Sequence, residues 1–112
     1  MIIDAVLLNL LPVSGKLQTA VFRKGVACTI VFPIYDADGD LVSGAADLDS
    51  EVSKDGGTFT DCTNEASEIA TDSGMYKLDL TATEMNADIV AVIVKTSTDG
   101  AKTAATVIYT SK

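Results

Sequence analysis

The sequence predicts an all-β fold in which two antiparallel sheets pack face to face as a sandwich. Short segments of alternating apolar and polar residues recur along the chain, and turn signals separate them about every 8 to 12 residues. The 112 residues suffice for one domain with one core. Aromatic residues make up only 5% of the chain and Trp is absent, so we expect a core of Val, Ile, Leu and Ala.

The stretch around which the rest is organised begins with residues 74–80. Tyr76, Leu78 and Leu80 alternate with more polar neighbours, which predicts a strand with one buried face.

The same stretch continues with a turn and a second strand. Thr81 and Glu84 have the spacing of a capping box, which predicts one short helical turn near residues 82–87. Residues 89–94 are unbroken apolar and mostly β-branched, which favours a strand buried on both faces. The chain is therefore expected to cross here from one sheet to the other.

Upstream, the alternation from Val26 to Ile34 is the clearest strand signal, and it places Cys28 on the core side. Pro33 cannot donate to a ladder, so it marks an edge, a bulge or the end of the strand. Leu17 to Phe22 predicts another strand, followed by a turn at residues 23–25.

In the middle of the chain, residues 46–53 predict a strand with one acidic face, and residues 54–57 a hairpin turn. Phe59 is expected to anchor the returning strand. Residues 64–72 predict a loop with a short edge strand whose single apolar contact is Ile69.

A turn at residues 98–101 leads to a last strand marked by Ala105, Val107 and Tyr109. The elements add up to about seven or eight strands, an arrangement typical of an immunoglobulin-like sandwich. The sequence thus predicts a sandwich domain over residues 17–112.

Residues 1–16 precede this domain as an apolar segment whose spacing fits a helix or a strand. One interpretation packs it on its own domain, and the other makes it an arm that docks on a neighbouring subunit. The predicted docking residues are Ile2, Ile3, Val6, Leu7, Leu10, Leu11, Lys16, Arg23 and Lys24.

The net charge of −8 is uneven, with +2 on residues 1–35 and −10 on residues 36–112. Such an acidic chain repels phosphate backbones and anionic lipid, so neither nucleic acid nor a membrane is an expected partner. The acidic side chains either form a solvated face or contact a basic partner.

No secretory signal pattern follows Met1, and we expect synthesis in a reducing cytoplasm with Cys28 and Cys62 as free thiols. A disulfide between them is the alternative, and Cys62 is placed in a polar loop or strand end.

The sequence contains few of the residues and motifs that are typical of catalytic, metal or cofactor sites. The chain has no His, which removes Ser-His-Asp and Cys-His nucleophile systems and the usual zinc sites. No CxxC, GxGxxG or Walker loop occurs, and the carboxylates fall in turns and on a strand face expected to be exposed. The sequence therefore predicts a protein that is not an enzyme and uses no cofactor.

No metal site is predicted, and the best candidate ligands are four aspartates spaced like those of a calcium loop. Leu41 stands where an EF-hand requires Gly, and no flanking helices are predicted. Turn-building by the carboxylates is the simpler interpretation. The candidate ligands are Asp36, Asp38, Asp40 and Asp47.

Three runs carry a resemblance to a known family: a D-x-D-G loop within residues 34–48, a K-D-G-G-x-F hairpin within 53–59, and a G-x-Y-x-L-x-L strand with its capped turn within 74–88. Together they resemble the small immunoglobulin-like domains of tailed-bacteriophage virion proteins, over about residues 17–110.

The resemblance implies a non-enzymatic virion component made in the host cytoplasm. A head decoration or accessory protein on the assembled capsid is the first expectation, and a tail or baseplate component is the alternative. Partners would be other virion proteins, such as the major capsid protein or tail proteins, with a homo-oligomer as a further option. A carbohydrate-binding adhesion module is the rival from another class, although most aromatic residues fall on predicted core faces.

Overall fold

The computed structural model describes residues 22–112 and folds them into two antiparallel sheets, which confirms the all-β prediction. One sheet has the strand order β1-β5-β4, and the other has the order β3-β2-β6-β7. The strands are β1 (Cys28–Pro33), β2 (Asp49–Lys54), β3 (Thr60–Asp61), β4 (Ser67–Glu68), β5 (Met75–Leu80), β6 (Ile89–Lys95) and β7 (Thr106–Tyr109). The predicted segment 1–16 and all of the predicted strand 17–22 except Phe22 lie outside the described residues.

Both sheets contribute their inner faces to a single core. Leu78 of β5 and Val92 of β6 are fully buried, as alternation along each strand requires. β1 and β5 pair with Phe32 opposite Tyr76, and the two rings stack with centroids 6.2 Å apart. Pro33 is the last residue of β1, a position where its missing N–H costs the ladder little.

The crossover between the sheets forms where predicted, but the predicted helical turn near residues 82–87 is wrong. Among residues 22–112 no helix is present. The capping contacts do form, since the Thr81 N–H donates to Glu84 Oε1 at 2.8 Å and the Glu84 N–H donates to Thr81 Oγ1 at 3.1 Å. The Met85 N–H bonds the Thr81 carbonyl at 3.0 Å, but the Ala87 N–H then bonds the Met85 carbonyl at 2.9 Å. This tight turn directs the chain into β6 before a helix can continue.

The strand predicted to be buried on both faces is buried on one. Val90, Val92 and Val94 lie in the core, whereas Ile89 is exposed and Ile93 only half-buried. Among the described residues, no second layer covers the outer face of the four-stranded sheet. An apolar sequence therefore does not guarantee a covered strand.

The last strand also forms, but its buried residue is Ile108. The register places Ile108 opposite the buried Val90, and alternation turns Val107 and Tyr109 outward. Tyr109 is thus on the surface, contrary to the expectation that most aromatic residues serve the core.

Three smaller expectations are corrected in the segments around β3 and β4. Cys62, expected in a polar loop or strand end, is a buried core residue directly after β3. Phe59 is 39% exposed and Ile69 36%, so neither is a core residue, and the buried Ala66 provides the core contact ahead of β4. Cys28 is half-buried, and both cysteines are free thiols.

Candidate interaction surface

The outer side of strands β6 and β7 presents a contiguous apolar surface, here named the β6–β7 face, formed by Ile89, Ala91, Val107 and Tyr109. The register pairs Ile89 with Tyr109 and Ala91 with Val107. Paired residues of neighbouring strands direct their side chains to the same side of the sheet, so the four side chains adjoin. Ile89 is 37% exposed, Val107 53% and Tyr109 73%.

The local sequence explains why this face is apolar. Antiparallel sheets with one solvated face alternate apolar and polar residues, but β6 reads IVAVIVK and β7 reads TVIY. Scattered apolar residues on a surface are ordinary, whereas a contiguous patch indicates a surface that another molecule or segment covers.

Two of the predicted docking residues, Arg23 and Lys24, lie at the rim of this face. Arg23 pairs with Ser111, two residues beyond Tyr109, in a parallel bridge. The Lys24 ammonium lies 3.1 Å from a carboxylate oxygen of Asp88, the residue before β6. The structure therefore brings the two basic positions together with the apolar face. The other predicted docking residues lie outside the described residues, namely Ile2, Ile3, Val6, Leu7, Leu10, Leu11 and Lys16.

On the same outer side of the sheet, β2 and β3 carry a group of acidic residues. Carboxylate oxygens of Asp49, Glu51 and Asp61 lie within 4.8 Å of one another. The Lys95 ammonium lies 3.4 Å from Asp49 and 3.3 Å from Glu51, and the hydrogen bond to Glu51 is the main cause that raises the pKa of Lys95. The group is thus an ion-pair network with its own cation, and the outer side divides into an apolar part and an acidic part.

Of the four candidate calcium ligands, Asp36 and Asp47 have carboxylates that accept hydrogen bonds from the chain itself. Asp36 Oδ1 accepts the N–H groups of Asp38 at 2.9 Å and Asp40 at 3.0 Å, which closes the loop that follows β1. Asp47 accepts the Ser97 hydroxyl at 2.6 Å, and its φ of 50° keeps it out of β2, which begins at Asp49. Among the described residues, no three of these four carboxylates lie within 4.8 Å of one another.

The buried Cys62 thiol has the most strongly shifted pKa of the described groups. Burial is the largest cause, and the nearby carboxylates of Glu84 and Glu65 add to it, so that the pKa rises to about 12. A thiol reacts as its thiolate, so burial disfavours the reactive form of Cys62 at neutral pH. Cys62 contributes packing instead.

The sequence places the predicted docking residues in the N-terminal segment and at Arg23 and Lys24, and it does not single out Ile89, Val107 and Tyr109. A signal was available, because β6 and β7 are apolar at both alternating sets of positions. That pattern was interpreted as burial on both faces, and only the strand order shows that β6 and β7 have an open side within the described part of the chain.

Among residues 22–112, no helix is long and apolar enough to cross a membrane. No family model, curated protein or solved structure matches this chain.

Proposed function

We propose that this chain is a non-enzymatic structural protein of a bacteriophage virion, and specifically a head decoration or accessory protein that binds the assembled capsid. The observation that carries the proposal is the β6–β7 face, a contiguous apolar surface with Arg23 and Lys24 at its rim. Such a surface fits a protein–protein contact. The phage assignment itself comes from the three sequence runs that resemble virion domains.

The strand order supports an immunoglobulin-like identity for the domain. In that fold, strands B, E and D are neighbours in one sheet, and strands C, F and G are neighbours in the other, with an added C′ in variable-type domains. Here β1-β5-β4 matches B-E-D, and β3-β2-β6-β7 matches C′-C-F-G. The crossover from β5 to β6 corresponds to the E–F connection.

The proposed contact is hydrophobic at its centre and electrostatic at its rim. Tyr109 is the natural anchor, because a large ring with a polar tip gains much from burial at low entropy cost. Val107 and Ile89 beside it extend the apolar area. The acidic group on β2 and β3 stays outside the contact. A protein that binds only the assembled particle stabilises that particle by mass action.

Co-sedimentation with capsids in a density gradient tests the proposal. Purified full-length chain is mixed with capsids of the phage that encodes it, alongside a Tyr109→Ser variant and a deletion of residues 1–13. We expect the full-length protein to saturate the capsid and both altered proteins to bind more weakly. Tyr35→Ser is the matched control, since Tyr35 is 44% exposed but lies outside the β6–β7 face.

Two results would count against it. If the full-length protein fails to sediment with capsids, the head assignment is wrong, and pull-down with tail proteins tests the tail or baseplate alternative. If Tyr109→Ser and Tyr35→Ser bind equally, the β6–β7 face is not the contact.

A carbohydrate-binding module is the second candidate function, and the exposed rings of Tyr109 and Tyr35 favour it. Sugars bind on exposed aromatic platforms, which the sequence alone did not lead us to expect. Glycan-array binding by the full-length protein that is lost in Tyr109→Ser would support this candidate over capsid decoration.

A further inference from the structure

Three exposed turns contain an aspartate followed by a glycine, a pair in which the aspartate can isomerise without an enzyme. Glycine has no side chain to keep its own nitrogen away from the preceding carboxyl carbon, and this makes the pair especially reactive. A Cβ added at any of the three glycines would meet no atom within 4 Å, so steric access does not separate the pairs. The pairs are Asp38-Gly39, Asp55-Gly56 and Asp99-Gly100, and the sequence contains no others.

Isomerisation needs no reagent other than water. The glycine nitrogen attacks the Cγ of the protonated carboxyl group, an N–Cγ bond forms, and the hydroxyl leaves with the amide proton as water, which closes a succinimide ring. Water then adds to the former main-chain carbonyl carbon, and the bond from that carbon to the nitrogen breaks as a proton returns to the nitrogen. In the product, isoaspartate, the main chain runs through the former side chain and is longer by one atom.

At two of the pairs, a hydrogen bond holds one of the reacting groups. The Gly39 N–H donates to the Asp36 carbonyl at 3.1 Å. Asp55 Oδ1 accepts the N–H groups of Asp88 and Ile89, both at 2.9 Å, so this carboxylate is tied to the start of β6. Each bond has to open before the nitrogen and the carboxyl carbon can meet, so the population that reacts is reduced.

At Asp99-Gly100 neither reacting group is held. Within residues 22–112, the Asp99 carboxylate and the Gly100 N–H have no hydrogen-bond partner. The turn that contains them is closed by the Ala101 N–H, which donates to the Thr98 carbonyl at 3.3 Å. That distance is longer than the usual range for such a bond, so the turn opens more readily than a well-bonded one.

We propose that Asp99-Gly100 is a site of spontaneous modification in the folded protein, where Asp99 converts to isoaspartate in preference to Asp38 and Asp55. The extra backbone atom would lie close to Lys102, whose N–H and carbonyl groups both bond Tyr35 in the segment after β1. Conversion is therefore expected to loosen the contact between these two loops. The proposal is independent of the proposed virion function, because it concerns only the chemistry of the chain itself.

Peptide mapping of the full-length protein after prolonged incubation in neutral buffer at physiological temperature tests the proposal. Cleavage after Lys and Arg places each pair in a peptide of its own, namely residues 25–54, 55–77 and 96–102. An isoaspartyl peptide keeps its mass but separates from its parent in reversed-phase chromatography, and electron-transfer fragmentation identifies the converted residue. We expect Asp99 to convert at least about tenfold faster than Asp55 and about threefold or more faster than Asp38, in proportion to the bonds that must open.

A denatured sample and two variants provide the controls. In concentrated urea the hydrogen bonds are absent, so the three pairs should convert at similar rates. Asp36→Ala removes the carboxylate that accepts the Asp38 and Asp40 N–H groups, and it should speed conversion of Asp38 without changing that of Asp99. Asp99→Glu keeps the charge but needs a larger ring, so the isoaspartyl form of peptide 96–102 should disappear.

Three results would overturn the proposal. Equal conversion of the three pairs in the folded protein would show that the hydrogen bonds do not matter. Conversion of Asp99 in urea but not in the folded protein would show that its turn is protected. The same order of rates in urea as in the folded protein would assign the preference to neighbouring residues in the sequence and not to the structure.

Discussion

Glu84 stabilises the crossover between the two sheets, and we expect its substitution to lower the free energy of unfolding. One carboxylate oxygen accepts the Thr81 N–H at 2.8 Å, and the other accepts the Thr63 N–H at 2.7 Å. Glu84 is itself buried, so water does not readily replace either bond. The carboxylate thus ties the turn after β5 to the segment after β3.

The expected cost follows from these two bonds. Glu84→Gln keeps one acceptor oxygen and turns an amide group towards the other N–H, so one charge-assisted bond is lost, at about 1.5–3 kcal/mol. For a domain of this size, 1 kcal/mol corresponds to about 4 °C in the unfolding midpoint, so Tm should fall by about 6 to 12 °C. Glu84→Ala loses both bonds and should fall further.

Calorimetry or thermal unfolding followed by circular dichroism measures the change, with Asp99→Asn as the matched control. Asp99 is an exposed acid in the turn between β6 and β7, and its substitution should change stability by less than about 0.5 kcal/mol. If Glu84→Gln behaves like Asp99→Asn, the two bonds do not hold the crossover and the reasoning fails.

Three further predictions concern the core and its turns. In denaturant titrations, Gly74→Ala should lower the free energy of unfolding by at least about 1 kcal/mol more than Gly100→Ala does. Both glycines have positive φ, but only at Gly74 would the new Cβ lie 2.5 Å from a neighbouring side chain. Tyr76→Phe should lower the free energy of unfolding by about 1–3 kcal/mol in the same titration. The buried hydroxyl donates to the Val42 carbonyl at 2.7 Å and accepts the Ala45 N–H at 3.0 Å. A Tyr76→Phe variant as stable as the unaltered protein would refute this. Burial raises the pKa of both thiols, that of Cys62 to about 12. Iodoacetamide near pH 9 should therefore label the half-buried Cys28 first. Faster labelling of Cys62 in the folded protein would contradict its burial.

The raised pKa of Cys62 also has a consequence for stability. Above the ordinary value of 9.0 the unfolded thiol loses its proton while the folded one keeps it. The folded state then binds more protons, so this contribution to stability is present at low pH and is lost as pH rises towards about 12.

Sequence reasoning located the elements whose signal is local. The alternation of Tyr76, Leu78 and Leu80 predicts β5 because period-2 burial is a property of any half-buried strand. The turn of Asp38 and Gly39 and the capping contacts of Thr81 with Glu84 depend on neighbours only a few residues away.

The errors arose where burial depends on distant parts of the chain. Which face of β7 is buried depends on its register with β6, and the sequence TVIY is apolar enough to fit either face. β3 and β4 have only two residues each, too few for any periodicity, so Phe59 and Ile69 were given core roles that Cys62 and Ala66 fill.

The candidate interaction surface could be predicted only in part. The basic positions Arg23 and Lys24 were identified from charge asymmetry along the chain, and the structure places them beside the apolar face. Val107 and Tyr109 were not, because an apolar strand residue looks the same in sequence whether it serves a core or a partner. Only the sheet order separates the two cases.

The most direct test of the account is electron cryomicroscopy of phage particles that contain this chain, compared with particles that lack it. We predict extra density of one small sandwich domain on the assembled head, with Tyr109 and the β6–β7 face against the capsid. Heads without such density, or domains bound with the β6–β7 face open to solvent, would contradict it.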